Sequence, residues 1–563
     1  MSILNNTILS LILLCNLSFS QIPDASGRNG AVTSSNAYAT QVGIDILKLG
    51  GNAIDAAVAV GFALAVTHPG AGNIGGGGFM VIHLSKGDVI TLDFRETAPA
   101  KASRDMFLDD KGDVIPGMSW NTALAAGVPG SVDGFDKIHK LHGLLPWEMV
   151  VSPAQKLADD GFILDRTLAK SLGIYKNFLS RDSISKKVFV KNKDYFQVGE
   201  IFKQPDLAKT LKRIQVNGAR EFYEGETAQN IIQCMNRTGG IISLKDLKDY
   251  KSIIREPVKF DYRGYTFYSM PPPSSGGIAL AGILNQLENI DLSKIEHHSK
   301  DHVQFLTEAE RNVYSDRAFY LGDMDFIDVP IDELVDQGYS NKRWNEINFS
   351  QARESKNIKH GTFSNQKESE ETTHYSVTDK WGNAVSVTTT VNGWFGNGIT
   401  VDNAGFLLNN EMDDFSSKPG VPNKYGLIGA EANAIYPGKR MLSSMTPTII
   451  LDKNKKLFLV LGSPGGSTII TTVAQVAMNV IDFGMTIEQA VESKRIHHQW
   501  LPDIIYAEPS SILDKQQRNL TNIGYNIRNR RSIGEANCIL YDNKNGIYYS
   551  SGDSRRGATA KAY

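Results

Sequence analysis

The spacing of apolar positions divides the first part of the chain into helices. Apolar residues recur at helical spacing in "NAYATQVGIDILKLGGNAIDAAVAVGFALAVTHPG", which predicts two helices separated by Gly50 and Gly51. Amphipathic helical patterns dominate from about Ser152 to Lys300. The segment "DHVQFLTEAERNVYSDRAFYLGD" predicts one more long helix.

Alternating apolar and polar positions predict three β-hairpins. Their sequences are "FMVIHLSKGDVITLDF", "HYSVTDKWGNAVSVTTTVN" and "PTIILDKNKKLFLVLGSPGG". The apolar helix "STIITTVAQVAMNVIDFGM" follows the third hairpin directly. Strands therefore dominate the chain after Thr372 and helices lie outside them, while both halves mix the two element types. We predict an α/β fold with α+β-type layers, stacked in the order α/β/β/α.

A polar stretch interrupts this pattern before the second hairpin. Residues 348–371, "NFSQARESKNIKHGTFSNQKESEE", contain few large apolar residues, and the strand-like "TTHYS" follows at once. One interpretation is a loop before a strand, because Thr favours strands. The other is a chain cut between Glu371 and Thr372. An N-terminal threonine carries its own base, since its α-amine (pKa ~7.7–8.0) lies close to its hydroxyl.

The length and net charge of the chain limit the kinds of protein it can be. The 563 residues are 41% apolar, which allows up to about four domains or one large α/β assembly. The formal net charge is −2, and there is no basic block. We therefore expect no nucleic-acid partner.

The N-terminal residues "MSILNNTILSLILLCNLSFS" predict a signal peptide over residues 1–20. Its apolar run is too short to span a bilayer, and so is the run that begins at Ala53. We therefore expect an exported protein, periplasmic or extracellular, with no membrane span in its mature form. Cys234 and Cys538 form neither a disulfide framework nor a zinc motif, so we expect both to be unpaired.

Histidines occur in two groups that could bind a metal. His298 and His302 stand four apart, and His497 and His498 are adjacent, but no carboxylate or cysteine pattern accompanies either group. We predict structural roles for them, and neither a metal nor another cofactor.

Three further motifs carry candidate chemistry. "LGSPGGSTII" predicts a strand-to-helix turn whose backbone N–H groups could hold an oxyanion, although an ordinary turn is also possible. "NNEMDDF" offers carboxylates for an ammonium group, while "MLSSMTP" and Arg95 in "LDFRETAPA" offer hydroxyls and a guanidinium for a carboxylate. Together these motifs describe a site for a zwitterion. "GNIGGGG" lacks a dinucleotide fingerprint and predicts closely packed backbone.

The segments "TTHYSVTDKWGNAVSV", "LLNNEMDDFSSKPGVPNKYG", "LSSMTPTI", "GSPGGS" and "FRETAPAKA" resemble the γ-glutamyltranspeptidase family (glutathione hydrolases). This family lies within the N-terminal-nucleophile hydrolase superfamily, and the resemblance runs from about Gly30 to the C-terminus. It implies a four-layer αββα sandwich built from both subunits of a self-cleaved precursor. The large subunit would be residues 21–371, and the small, catalytic subunit residues 372–563.

The resemblance also implies residue roles. Thr372 is the nucleophile for self-cleavage after Glu371 and for catalysis, Thr390 orients it, and Gly465 and Gly466 stabilise the oxyanion. The other residues would bind the glutamyl group of the substrate or cover it. Its α-carboxylate is held by Arg95, Ser443 and Ser444, and its α-ammonium by Asn392, Glu411 and Asp414. Thr390 and Gly466 also contact the substrate, and Tyr425 gates the pocket as part of a lid. Glu411 stands where some members have Gln, which keeps an acceptor.

The implied activity is cleavage of the γ-glutamyl bond of glutathione and related γ-glutamyl compounds, with water or an amino acid or peptide as acceptor. Two alternatives remain. A β-lactam side-chain acylase of the same superfamily would share the nucleophile but lack the clamp for a free amino acid. A catalytically silent exported binding protein would not need Thr372, Thr390 and the Gly465-Gly466 pair together.

Overall fold

The computed structural model of the protein describes residues 24–191, 194–361, 373–418, 421 and 430–563. The predictions for the signal peptide, Glu371, Thr372 and Tyr425 therefore lie outside the described residues. Among the helices of the described residues, none has both the length and the apolar content needed to cross a bilayer.

Most strands belong to two antiparallel sheets of seven strands each. Sheet I has the order β1 (Asp24–Gly27), β18 (Ile547–Gly552), β17 (Asn537–Asp542), β13 (Leu457–Leu461), β12 (Thr448–Leu451), β9 (Tyr265–Ser269) and β8 (Val258–Tyr262). Sheet II has the order β19 (Thr559–Ala562), β2 (Gly30–Ser34), β10 (Thr373–Asp379), β11 (Ala384–Thr390), β3 (Gly77–His83), β4 (Val89–Asp93) and β7 (Ile253–Arg255). Two small sheets contain β14 (Ile496–His497), β15 (Ile505–Ala507) and β16 (Ile527–Asn529), and β5 (Phe162–Ile163) and β6 (Ile201–Phe202).

Helices cover the outer faces of the two large sheets. In chain order they are α1 (Ala37–Lys48), α2 (Ala53–Thr67), α3 (Met118–Asn121), α4 (Ser131–His142), α5 (Trp147–Asp160), α6 (Arg166–Ile174), α7 (Lys176–Leu179), α8 (Ser183–Phe189), α9 (Pro205–Asn217), α10 (Arg220–Glu224), α11 (Glu226–Thr238), α12 (Leu244–Asp249), α13 (Gly276–Leu287), α14 (Lys300–Tyr320), α15 (Ile331–Val335), α16 (Gln337–Asn345), α17 (Thr468–Ile481), α18 (Ile487–Glu492) and α19 (Asp514–Asn522). Short 3₁₀ turns include Glu411–Asp414.

Three apolar cores define the layers. One core joins α1 and α2 to the outer face of sheet II, and another joins α13, α14 and α17 to the outer face of sheet I. The third core lies between the sheets, where Ala31, Val81 and Ala384 of sheet II meet Ile449 and Val460 of sheet I. The molecule is therefore the predicted αββα sandwich.

The three predicted hairpins are confirmed as β3–β4, β10–β11 and β12–β13, and the predicted helix after the third hairpin is α17. The first predicted helix pair is α1 and α2. Asn52 begins α2 with a capping box to Asp55, which satisfies backbone N–H groups at that end. Local sequence signals therefore placed these elements correctly.

One stretch differs from the prediction. Residues 253–269, within the segment predicted to be mainly helical, form β7, β8 and β9. In β8 buried and exposed residues alternate, as a strand with one buried face requires. Arg263 and Gly264, both with positive φ, make the two-residue turn that joins β8 to β9. The segment "VKFDYRGYTFYS" alternates apolar and polar residues around a turn, which predicts a hairpin. The helical patterns on either side of it hid this prediction.

Both predicted cysteine states are confirmed within the described residues. Cys234 and Cys538 are buried free thiols. Burial raises the pKa of each thiol to about 12, so both stay protonated and unreactive at neutral pH.

Candidate active site

The strand that follows the proposed cleavage point lies in the middle of sheet II. β10 begins at Thr373 and pairs with β2 on one side and β11 on the other. Thr373 is opposite Thr389, and its side chain is buried. The residue after Thr372 is therefore fixed beside the end of β11, where Thr390 lies.

The end of β11 is held by residues of the glycine-rich segment. The Asn73 side-chain amide donates to the Thr390 carbonyl at 2.6 Å and to the Thr389 hydroxyl at 3.2 Å. A Cβ on Gly76 would lie 2.0 Å from the Thr390 carbonyl oxygen, so only glycine permits this approach. The predicted close packing of this segment is confirmed, and it supports Thr390.

Thr390 links the end of β11 to the acidic turn. Its hydroxyl accepts the backbone N–H of Asn392 at 2.6 Å. Burial raises the pKa of Glu411, and Thr390 offsets a small part of that rise. Asn392 has a positive φ of 64°. Its amide donates to the Asn410 carbonyl at 2.9 Å, while its buried Oδ1 has no hydrogen-bond partner among the described residues. An acceptor is thus left open beside the acidic turn.

Arg95 lies directly against that acidic turn. One guanidinium nitrogen is 2.6 Å from a Glu411 carboxylate oxygen, and another contacts Asp414. All three side chains are fully buried. Two further Arg95 hydrogen bonds go to the carbonyls of Met441 and Leu442, at 3.2 and 3.3 Å, just before Ser443. The groups predicted for the two ends of a zwitterion therefore form one connected cluster.

Burial and pairing set the charges of this cluster. Burial alone lowers the pKa of Arg95, but Glu411 and Asp414 raise it above its usual value, so the guanidinium stays protonated. Burial raises the pKa of Glu411 well above its usual value, although Arg95 opposes this. Burial also raises the pKa of Glu96 to about 8. The cluster is a desolvated charged site, the kind of place in which functional groups concentrate.

Ser443 and Ser444, which were predicted to bind the α-carboxylate, are held by hydrogen bonds from residues outside the motif "MLSSMTP". The Ser443 carbonyl accepts the backbone N–H of Ser275 at 2.6 Å and its hydroxyl at 2.8 Å. The Ser444 hydroxyl contacts Arg317, which also donates to the Ser275 hydroxyl at 3.0 Å. Neither Ser275 nor Arg317 was predicted to belong to the site. A serine after prolines has many structural uses, and a helical pattern in α14 does not show which partner its buried arginine meets.

The predicted oxyanion turn connects β13 to α17. Gly465 and Gly466 have φ values of 137° and 64°, in the region that favours glycine. The Thr468 hydroxyl donates to the Gly465 carbonyl at 2.7 Å, which fixes the turn against the start of α17. A Cβ on Gly465 would lie 2.5 Å from Thr468 Oγ1 and 3.1 Å from the Gly534 Cα. The turn therefore has a glycine-dependent backbone held against α17, and its role as an oxyanion site stays a prediction.

Replacing Gly465 by alanine tests this turn. We expect Gly465→Ala to lower kcat on a γ-glutamyl anilide by about 100-fold, because the added Cβ displaces backbone that must be precisely placed. The matched control is Gly484→Ala, since Gly484 also has a positive φ but an added Cβ there meets nothing within 4 Å. If the two variants had equal kcat values, the turn would not be part of the active site.

The histidines that were predicted to have structural roles make hydrogen bonds with nearby protein groups. One ring nitrogen of each of His297, His298 and His302 lies within 4.8 Å of the others. The His298 backbone N–H donates to His302 Nδ1 at 2.9 Å, which requires the His302 proton to be on Nε2. In that tautomer His302 has no free lone pair for a metal. His497 lies 2.9 Å from the Thr471 hydroxyl.

Comparisons with known proteins show which family the chain resembles. The γ-glutamyltranspeptidase family profile matches residues 39–563. The chain is 49% identical over 533 residues to the glutathione hydrolase proenzyme of Escherichia coli (strain K12), covering 94% of this chain and 90% of that protein.

Solved structures with a similar fold include the following two. The cephalosporin acylase from Bacillus halodurans matches with a TM-score of 0.86 at 26% identity, covering 97% of both chains. A Helicobacter pylori γ-glutamyltranspeptidase chain matches with a TM-score of 0.58 at 46% identity, covering 58% of this chain and 94% of that one. The acylase thus shares the architecture, but the much higher sequence identity is to glutathione hydrolases. The chain belongs to the γ-glutamyltranspeptidase family.

Proposed function

We propose that this protein cleaves the γ-glutamyl amide bond of glutathione and related compounds, and passes the γ-glutamyl group to water or to an amino acid or peptide. The names of its relatives, glutathione hydrolase proenzymes, support this activity. The observation that carries the proposal is the buried cluster of Arg95, Glu411 and Asp414 beside Asn392 Oδ1, which no described residue hydrogen-bonds. This cluster matches the α-ammonium and α-carboxylate of a glutamyl group.

The charges of the cluster select a zwitterion. The α-carboxylate would bind Arg95 with the hydroxyls of Ser443 and Ser444, and the α-ammonium would donate to Asn392 Oδ1, Glu411 and Asp414. A zwitterion brings equal positive and negative charge into a buried site, where an uncompensated charge is costly. A group with a carboxylate alone would compete with Glu411 and Asp414 for Arg95 and would bring no ammonium to pair with them.

Catalysis then uses the residue that precedes β10. The Thr372 hydroxyl attacks the γ-carbonyl while its α-amine takes the proton, and the Gly465-Gly466 turn holds the oxyanion. Collapse of the tetrahedral intermediate breaks the amide bond, the amine leaves with that proton, and a γ-glutamyl ester remains on Thr372. Water or an acceptor amine attacks the ester and regenerates the hydroxyl.

Maturation would cut the precursor before Thr372, after export and removal of residues 1–20, and "proenzyme" in the relatives' names supports a processed precursor. The strand order explains why the two pieces would stay together. β10 and β11 of the small subunit lie between β2 and β3 of the large subunit, and β12 pairs with β9. Both sheets are therefore continuous across the subunits.

Two acyl-donor substrates distinguish the proposed function from the acylase alternative. γ-Glutamyl-p-nitroanilide and glutaryl-p-nitroanilide differ only by the amino group that the acidic cluster would bind. Losing a charged partner from a buried pair costs ~2–5 kcal/mol. We therefore expect kcat/KM to be about 30-fold to several thousand-fold higher for the γ-glutamyl compound. Equal values, or faster cleavage of the glutaryl compound, would favour the acylase, and no cleavage of either would favour a silent binding protein.

A further inference from the structure

A buried asparagine joins the two halves of the proposed clamp. One half is the acidic turn Glu411–Asp414, and the other is the segment of residues 442–444. Asn433 lies between them in the chain, at the end of the 3₁₀ turn Glu431–Asn433, and its side chain is fully buried. It was not among the predicted site residues, so its contacts with both halves are new information from the structure.

The Asn433 side chain makes one hydrogen bond to each half. Its Nδ2 donates to the Asp414 carbonyl at 2.6 Å, and its Oδ1 accepts the backbone N–H of Leu442 at 3.0 Å. A carbonyl only accepts and a backbone N–H only donates, so these two partners fix the orientation of the amide. The bridge therefore needs one donor and one acceptor on the same short side chain.

Both partners of Asn433 also contact Arg95. One guanidinium nitrogen contacts the Asp414 carboxylate and donates to the Leu442 carbonyl at 3.3 Å. The backbone of Asn433 adds a further link to the acidic half, because its carbonyl accepts the N–H of Ser416 at 2.9 Å. The contacts form a closed ring, in which Arg95 joins the two halves on one side and Asn433 joins them on the other.

The backbone around Asn433 is held from outside this ring. Lys439 is buried, and its ammonium group contacts the Ala432 carbonyl and donates to the Ala434 carbonyl at 3.2 Å. These carbonyls belong to the residues on either side of Asn433. The position of Asn433 therefore does not depend only on the two halves that it joins.

We propose that Asn433 is a positioning residue that sets the distance between the two halves of the clamp, so that one glutamyl group reaches both. The α-carboxylate and the α-ammonium are bonded to the same carbon atom, so their separation is fixed and the two halves must match it. Asn433 acts through Asp414 and Leu442, because both polar atoms of its side chain are used within the protein. The inference deepens the proposed function and rests on it.

The test compares kcat/KM for γ-glutamyl-p-nitroanilide and glutaryl-p-nitroanilide in the mature protein. Asn433→Ala releases the Asp414 carbonyl and the Leu442 N–H, so the acidic turn is no longer held in place. Only the γ-glutamyl compound has an ammonium group for that turn, so we expect the ratio of the two kcat/KM values to fall at least about tenfold. The matched control is Asn285→Ala, which removes a hydrogen bond of 2.8 Å to the Val335 carbonyl from another buried asparagine. It should leave the ratio within about twofold of the parent value.

The ratio separates positioning from a general loss of stability, because partial unfolding lowers both kcat/KM values equally. An Asn433→Ala ratio equal to that of the parent would overturn the proposal. If Asn433→Ala does not mature, Asn433→Asp decides in the same assay, since it keeps the size of the side chain and the acceptor for the Leu442 N–H but turns an oxygen towards the Asp414 carbonyl.

We expect the Asn433→Asp ratio to fall as well, and an unchanged ratio would overturn the proposal. If neither variant matured, Asn433 would be needed for folding, which would contradict a role confined to the clamp. A parent protein that cleaves neither donor, or cleaves both equally, would instead refute the proposed function.

Discussion

A Thr372→Ala protein is expected to remain one uncleaved chain with no measurable γ-glutamyl turnover. The substitution removes the hydroxyl that would attack both the peptide bond after Glu371 and the substrate carbonyl. Removing a catalytic nucleophile typically costs at least about 10⁴-fold in kcat. Denaturing gels, N-terminal sequencing and a kinetic assay on the same preparation measure both effects.

Thr372→Ser is the matched control, because it keeps a hydroxyl and, after cleavage, an α-amine. It should be processed and should turn over, more slowly than the parent. The parent should give two fragments, the smaller beginning Thr-Thr-His-Tyr. Normal processing of Thr372→Ala would place the nucleophile elsewhere in the chain.

Arg95→Ala should nearly abolish activity on γ-glutamyl donors while subunit cleavage proceeds. The scissile bond of the precursor has no free α-carboxylate or α-ammonium, so maturation does not need the clamp. Removing the guanidinium costs ~2–5 kcal/mol of substrate binding, or about 30-fold to several thousand-fold in kcat/KM. It also leaves buried Glu411 and Asp414 without their cation, which should cost the fold ~3–5 kcal/mol.

Arg311→Ala is the control for that stability loss. Arg311 is another fully buried arginine, 2.5 Å from Asp503 and 3.3 Å from Glu308, and neither partner belongs to the proposed clamp. Both variants should unfold at lower temperature than the parent. Only Arg95→Ala should lose kcat/KM once rates are corrected for the folded fraction. If Arg95→Ala matched the parent, the clamp assignment would be wrong.

Local signals in the sequence predicted most of the elements that position the site. The turns at Lys86–Asp88 and Asp379–Asn383 fixed the hairpins of sheet II, and Gly465-Gly466 marked the turn before α17. The hairpin β8–β9 was missed because its alternation is short and helices surround it. The period of the apolar pattern and the residues in each turn therefore decide the local structure. The order of strands in a sheet depends on contacts between distant segments.

Candidate site residues followed from motif chemistry and family resemblance, but their mutual contacts did not. Arg95 and Asp414 touch although they are 319 residues apart in the chain, and no spacing rule predicts such a contact. Asn73, Ser275 and Arg317 each support the site through hydrogen bonds from other elements. In sequence they are an asparagine among glycines, a serine after prolines and a helical arginine, and those patterns have many structural uses.

The central claim is that a γ-glutamyl ester forms on Thr372, and trapping this ester tests it most directly. The parent protein is mixed with excess γ-glutamyl-p-nitroanilide, quenched in acid during the initial burst, and its peptides are analysed by mass spectrometry. We predict that the peptide beginning at Thr372 gains the mass of one glutamyl group and that glycylglycine, added before the quench as acceptor, lowers the trapped amount. A glutamyl group on another residue, or turnover with no adduct at all, would contradict the account.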